Sequence, residues 1–277
     1  AELRPQVAAR QLERIVGADC VLATNTSSLG VGEMAEAMTS PSRLVGMHFF
    51  NPVHKMPLVE VVRASKSDDR AVATVFALAV RMGKVPVIVG DGPGFLVNRV
   101  LGPYLNEAGH LLSEGATVEA IDAAMTGFGM PMGPLRLVDE VGIDIVRHSG
   151  AALHAAFGPR LAPAPALTAL AASGRLGKKG GVGFYVHSKD EGKASVDPTA
   201  YQASGVRPRD TGAPEAGVIL DRLALSMVNE AARALADGIA SSAADVDLAM
   251  IMGTGFPAFR GGLLRYADDV GTRTIVG

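Results

Sequence analysis

Two stretches of this chain are copies of each other. NRVLGPYLNEAGHLLSEG at 98–115 lies without gaps on DRLALSMVNEAARALADG at 221–238, an offset of 123 residues. After a two-residue gap, IDAAM at 121–125 answers VDLAM at 246–250. GFGMP at 127–131 then resembles GTGFP at 253–257, and DEVG at 139–142 matches DDVG at 268–271. A duplicated helical unit restricts the fold strongly, because each copy carries an amphipathic face that must be covered, and stacked copies cover each other.

The residues before the first copy follow another rule. After a helical opening at 3–16, apolar runs at 20–24, 44–50, 58–63 and 84–90 read as strands. Helical periods at 34–38 and 69–82 lie between them. Strands that are almost wholly apolar belong to a sheet covered on both faces, as in doubly wound folds. GDGPGF at 90–95 ends this pattern and reads as a hinge. Helical periodicity follows at 94–114, 117–126, 134–157 and 164–173. GKKGGVGFY at 177–185 reads as a turn, and the polar stretch at 187–213 as a linker or long surface loop. The expected class is therefore α/β followed by all-α: part of a Rossmann-like doubly wound sheet, then two repeated helical units. The expected segments are 1–92, 93–190, a linker at 191–213, and 214–277, the last incomplete.

Composition removes several functions. A net charge of −2 with scattered charges leaves no basic stripe for nucleic acid. No apolar run reaches the roughly 20 residues of a membrane span. Nor do the opening residues resemble a secretory leader, so a cytoplasmic location is expected. The one cysteine, Cys20, sits in an apolar stretch and is read as packing. With 33 glycines in 277 residues a phosphate loop is worth seeking, yet no strand is followed by GxGxxG. Nor do GxSxG, HExxH, CxxC or Walker motifs occur, and no two histidines have metal-pair spacing.

A few polar residues stand where chemistry would need them. His48 ends one apolar strand, and Glu60 lies inside the next. The two are placed symmetrically about His54, so a hairpin centred there sets them opposite each other on one face. A buried carboxylate needs a partner, and an imidazole so held becomes a general base. The alternative is a core histidine, with Glu60 bridging Arg63 or another cation. NTSSLG at 25–30 follows a strand and precedes a helix, so its side chains either cap that helix or meet a ligand at the sheet's carboxyl edge. Asn98 opens a helix for which asparagine has poor propensity, and either reaches a ligand or faces solvent. Lys178 and Lys179 either meet phosphates or simply solvate a turn.

NTSSLG at 25–30, GMHFFNPVHKMPLVEVVR at 46–63, GDGPGFLVNRVLGPYLNEA at 90–108, GFGMPMGP at 127–134 and GKKGGVGFY at 177–185 together resemble the 3-hydroxyacyl-CoA dehydrogenases, in order and in spacing. The second helical unit, with GTGFPAFRGG at 253–262, is similar to the multifunctional fatty-acid-oxidation α subunits. The resemblance implies NAD-dependent oxidation of (S)-3-hydroxyacyl-CoA to 3-ketoacyl-CoA. It makes His48 the base and Glu60 its support. Ser27 and Asn98 bracket the reacting oxygen, and Ser27, Asn51 and Lys179 lie by the cofactor. The implied partners are the acyl-CoA itself and either a thiolase β subunit or a second copy of the chain. Family members begin with a strand, a GxGxxG turn and a helix for the NAD pyrophosphate. This sequence shows none, so the adenine half of the cofactor site and much of the coenzyme A site are expected to be missing. The rival expectation is an inert remnant serving as a helical assembly or acyl-binding module.

Overall fold

The structure, a computed structural model, describes residues 5–27, 29–188, 194–209 and 211–276. The chain opens with α1 (Pro5–Ile15) and alternates through β1 (Leu22–Thr24), α2 (Val31–Ala35), β2 (Leu44–Phe49), β3 (Leu58–Arg63), α3 (Asp69–Arg81) and β4 (Val85–Gly90). Helices follow: α4 (Val97–Ser113), α5 (Val118–Phe128), α6 (Pro134–Val141), α7 (Ile143–Phe157) and α8 (Pro165–Ala172). A short hairpin of β5 (Tyr185–His187) and β6 (Ala194–Val196) precedes α9 (Thr199–Ala203), α10 (Ala216–Ala236), α11 (Ala243–Thr254), α12 (Leu263–Val270) and α13 (Thr272–Val276).

The chain forms two compact units. One joins residues 1–99 to 231–272, and the other joins 100–230 to 273–277. The first unit draws on distant parts of the chain because α11 packs on β3 and β4.

In the first unit four strands lie in the order β1-β2-β3-β4. The outer pairs are parallel and β2 runs antiparallel to β3. Alternation sends Val45, Met47, Val59 and Val61 to one face. There α3 covers them with Ala71, Val72, Val75 and Ala79, residues spaced to share one side of a helix. Asp68 starts that helix by accepting from the Ala71 amide at 2.6 Å. The opposite face carries Gly46, His48, Leu58, Glu60 and Val62. A Cβ at Gly46 would stand 2.6 Å from Val62 Cβ and 3.0 Å from Val31 Cγ2, so the glycine lets α2 settle on the sheet. Leu58 is covered by α11 at Gly253, where a Cβ would lie only 2.7 Å from Leu58 Cδ2.

The duplication is visible as a repeated hydrogen-bond pattern. In the second unit Asp122 of α5 accepts from the amides of Leu135 and Arg136 at 2.8 and 2.9 Å, fastening the start of α6. In the first unit Asp247 of α11 does the same for Leu264 and Arg265 of α12, at 2.6 and 3.2 Å. Each carboxylate sits where the helix presents unpaired N–H groups and the positive end of its dipole. Glycine precedes each fastened helix for the same steric reason. A Cβ at Gly133 or Gly262 would come within 2.3 Å of the aspartate.

Four expectations need correction. The helical period at 134–157 is two helices, broken at Gly142, whose φ of 104° no helix accommodates. The polar stretch at 187–213 carries β6 and α9 among its described residues, with Asp197, Ala200 and Ser204 buried, so it is more than a linker. His187 belongs to β5 and pairs with buried Asp139 at 2.8 Å, rather than standing in a polar loop. Cys20 is exposed instead of packed, because it precedes β1, a three-residue edge strand without fully buried positions.

Asp122 also accepts from the Tyr185 hydroxyl at 2.6 Å, yet burial pushes its carboxyl up from 3.8 to about 6. The fold then favours the protonated form. The associated stability is fully present below 3.8 and is lost as pH rises through about 6. Urea midpoints measured across this window should fall with rising pH in the wild type. Asp122→Asn should flatten that slope by on the order of 1–3 kcal/mol.

Candidate active site

The antiparallel register of β2 and β3 places His48 directly opposite Glu60. Their side chains share a face, and His48 Nδ1 lies 2.7 Å from Glu60 Oε2. Both are buried, Glu60 completely. Since the carboxylate accepts, Nδ1 carries the hydrogen and Nε2 keeps its lone pair. The ring packs against Phe50, with centroids 4.7 Å apart, and Phe95, at 5.5 Å, both tilted. Among the described residues nothing hydrogen-bonds Nε2.

Glu60 has a second set of donors. Its Oε1 accepts from the Leu96 and Val97 amides at 3.1 and 2.9 Å, at the start of α4. The turn before that helix bends sharply to deliver them: Gly94 has φ 75°, and Phe95 has φ 49°. A non-glycine residue in that region costs about 1–2 kcal/mol. Asn98 follows Val97 directly. It is half-buried, and no other described residue hydrogen-bonds its amide.

Ser27 is exposed on the turn after β1. That turn is tied to the end of β2 by Asn25 Oδ1, which accepts from the Phe49 amide at 3.2 Å. Of the two readings of NTSSLG, capping finds no support among its described residues, none of whose side chains caps α2. Asp91, just after β4, accepts from Val31 and Gly32 at 3.1 and 2.6 Å. Asn51 is exposed on the β2–β3 loop, immediately beyond Phe50. Lys179 belongs to the other compact unit, where its Nζ pairs with Asp144 at 2.6 Å and holds that carboxyl below its usual range.

The first unit thus brings together His48, Glu60 and the opening of α4 that carries Asn98, and ties the Ser27 turn to the end of β2. Sequence reasoning missed Phe95 and Asp91. The signal for both was present in GDGPGF, where an aromatic and an acid flank glycines that force a turn.

A partial doubly wound sheet, a hairpin-held imidazole–carboxylate pair and a duplicated helical unit define a dehydrogenase-like class. The family model described as 3-hydroxyacyl-CoA dehydrogenase, NAD binding domain, matches residues 5–92. That described as 3-hydroxyacyl-CoA dehydrogenase, C-terminal domain, matches residues 94–187 and 217–276. The chain belongs to the 3-hydroxyacyl-CoA dehydrogenase family. It is 44% identical over 279 residues to a fatty acid oxidation complex subunit alpha of Acinetobacter baumannii (strain SDF), covering 98% of this chain and 39% of that protein. A second such subunit, from Psychrobacter arcticus, is 45% identical over 95% of this chain and 37% of its own. The chain therefore spans about two fifths of the length of these curated relatives. Among solved structures, 3-hydroxybutyryl-CoA dehydrogenase from Escherichia coli K12 superposes with a TM-score of 0.83 at 27% identity, over 98% of this chain and 73% of that one. The dehydrogenase part of multifunctional enzyme 1 from C. elegans gives 0.64 at 30% identity, over 95% and 61%.

The residues present fit one end of NAD. Among the described residues His48 Nε2 and the side chains of Asn98 and Ser27 keep free hydrogen-bonding capacity, as a nicotinamide end would require. A pyrophosphate needs free N–H groups at a glycine-rich turn. The glycine-rich turn after β4 delivers the Leu96 and Val97 amides to Glu60, and the amides at the start of α2 already serve Asp91.

Asp91→Ala should leave those two amides without their acceptor and destabilise the protein by about 1–2 kcal/mol. Urea denaturation measures this, and Asp91→Asn, which keeps one acceptor, should lose less.

Proposed function

We propose that this chain supplies the catalytic groups for NAD-dependent oxidation of (S)-3-hydroxyacyl-CoA to 3-ketoacyl-CoA in fatty acid β-oxidation. The observation that carries the reading is the buried His48–Glu60 pair with Nε2 left open. His48 Nε2 accepts the proton of the substrate's 3-hydroxyl. Glu60 holds the ring in the tautomer that permits this, and compensates the imidazolium once it forms. Ser27 and Asn98 hydrogen-bond the reacting oxygen and steer it toward His48. Asn51 contacts the cofactor. Bound NAD⁺ supplies the hydride acceptor. Phe50 and Phe95, packed against the imidazole, limit the access of water to it.

A family match on both sides of residue 93 and an intact His48–Glu60 pair disfavour the rival inert module. The complex named for the relatives supports assembly with a partner such as a thiolase β subunit or a second copy. No helix among the described residues is long and apolar enough to cross a membrane, which is compatible with the cytoplasmic location we propose. Segments 93–190 and 214–277 are, in this reading, two copies of one ancestral helical domain.

Assays with acetoacetyl-CoA and NADH, followed at the nicotinamide absorbance, test the reading. His48→Gln should lower kcat by roughly 10²–10⁴-fold while acyl-CoA affinity stays near wild type. Near-normal turnover would overturn the assignment.

A further inference from the structure

The loop joining β2 to β3 has little to hold it. Residues 51–55 are all exposed and bury no side chain. Within the loop, the Lys55 and Met56 amides donate to Pro52 O at 2.9 and 3.0 Å, a single turn with no hydrophobic anchor. The tie comes from elsewhere. Lys84, the residue before β4, donates from Nζ to Val53 O and, at 2.8 Å, to Met56 O. The next residue, Val85, donates its amide to Pro57 O at 2.9 Å. One ammonium thus bridges carbonyls on both sides of the turn. Among the described residues no carboxylate pairs with it, so its charge serves the loop backbone. Charged donors make the stronger hydrogen bonds, and two of them here converge on a segment that packing does not fix.

We propose that Lys84 is a positioning residue for the candidate active site. Through the β2–β3 loop it places Asn51, and so governs how tightly the nicotinamide cofactor is held. This rests on the reading above that Asn51 faces the cofactor. The proton transfer at His48 does not depend on Lys84, because Glu60 and the start of α4 fix that ring independently.

Lys84→Met keeps the length and apolar stem of the side chain but removes the donors. Lys84→Arg keeps two donors in a planar fork able to reach both carbonyls. In Lys84→Met the KM for NADH should rise about tenfold, with kcat changed less than threefold and acyl-CoA affinity unchanged. Lys84→Arg should recover most of the loss. Hydrogen exchange at the Lys55 and Met56 amides should quicken in Lys84→Met and not in Lys84→Arg. Unchanged exchange overturns the proposal, and so does faster exchange with no change in NADH affinity, whether that is measured by turnover or by NADH fluorescence. A kcat loss as large as that of His48→Gln overturns it as well. A wild-type protein that binds NADH without oxidising or reducing acyl-CoA would instead defeat the functional reading. The exchange and fluorescence comparison would still decide the role of Lys84.

Discussion

The architecture of the candidate site hangs on one buried carboxylate. Glu60 is fully enclosed in β3, where an ionised group without partners would cost several kcal/mol. Three donors meet it: the His48 imidazole from the neighbouring strand, and two amides from the start of α4. The register of β2 on β3, the strained turn at Phe95, the direction in which α4 departs and the place of Asn98 all follow from satisfying it. Chemistry and folding therefore draw on the same group. The side chain that orients the imidazole also begins the helix that carries a second polar residue of the site.

The duplicated units show what a repeat preserves. Asp122 and Asp247 make the same pair of hydrogen bonds to the next helix, with the same close glycine. Burial raises both carboxyls above their usual range. Their surroundings differ. Asp139, one helix later in the first copy, is buried and takes the amides of Phe184 and Tyr185 as well as the His187 ring. Its counterpart Asp268 is exposed. A Cβ at Gly183 would collide with Asp139, so that glycine serves a carboxylate inside the protein. The glycine excess of the composition finds its use in such close approaches.

Features with a local period or a copy elsewhere in the chain were legible from sequence. His48 and Glu60 could be paired because antiparallel alternation is strict and the spacing is symmetric. The helical units could be found because the chain states them twice. What escaped depends on side chains reaching backbone far away in sequence. Asp91 caps a helix about sixty residues upstream, and Lys84 grips a loop that its own strand does not contain. Neither leaves a periodic trace. The exposure of Cys20 escaped for a related reason, since an apolar stretch does not reveal that its strand is short and lies at a sheet edge.

The first compact unit is discontinuous along the chain. Its sheet and the opening of α4 are complete by residue 99, but the helix that covers Leu58 and touches Val97 arrives only with Gly253. During synthesis, β2 and β3 emerge long before their cover. For that interval an apolar sheet face stays exposed, the condition under which nascent chains aggregate or engage chaperones. Because the cover of Leu58 comes from a helix far along the sequence, that core closes well after its strands exist.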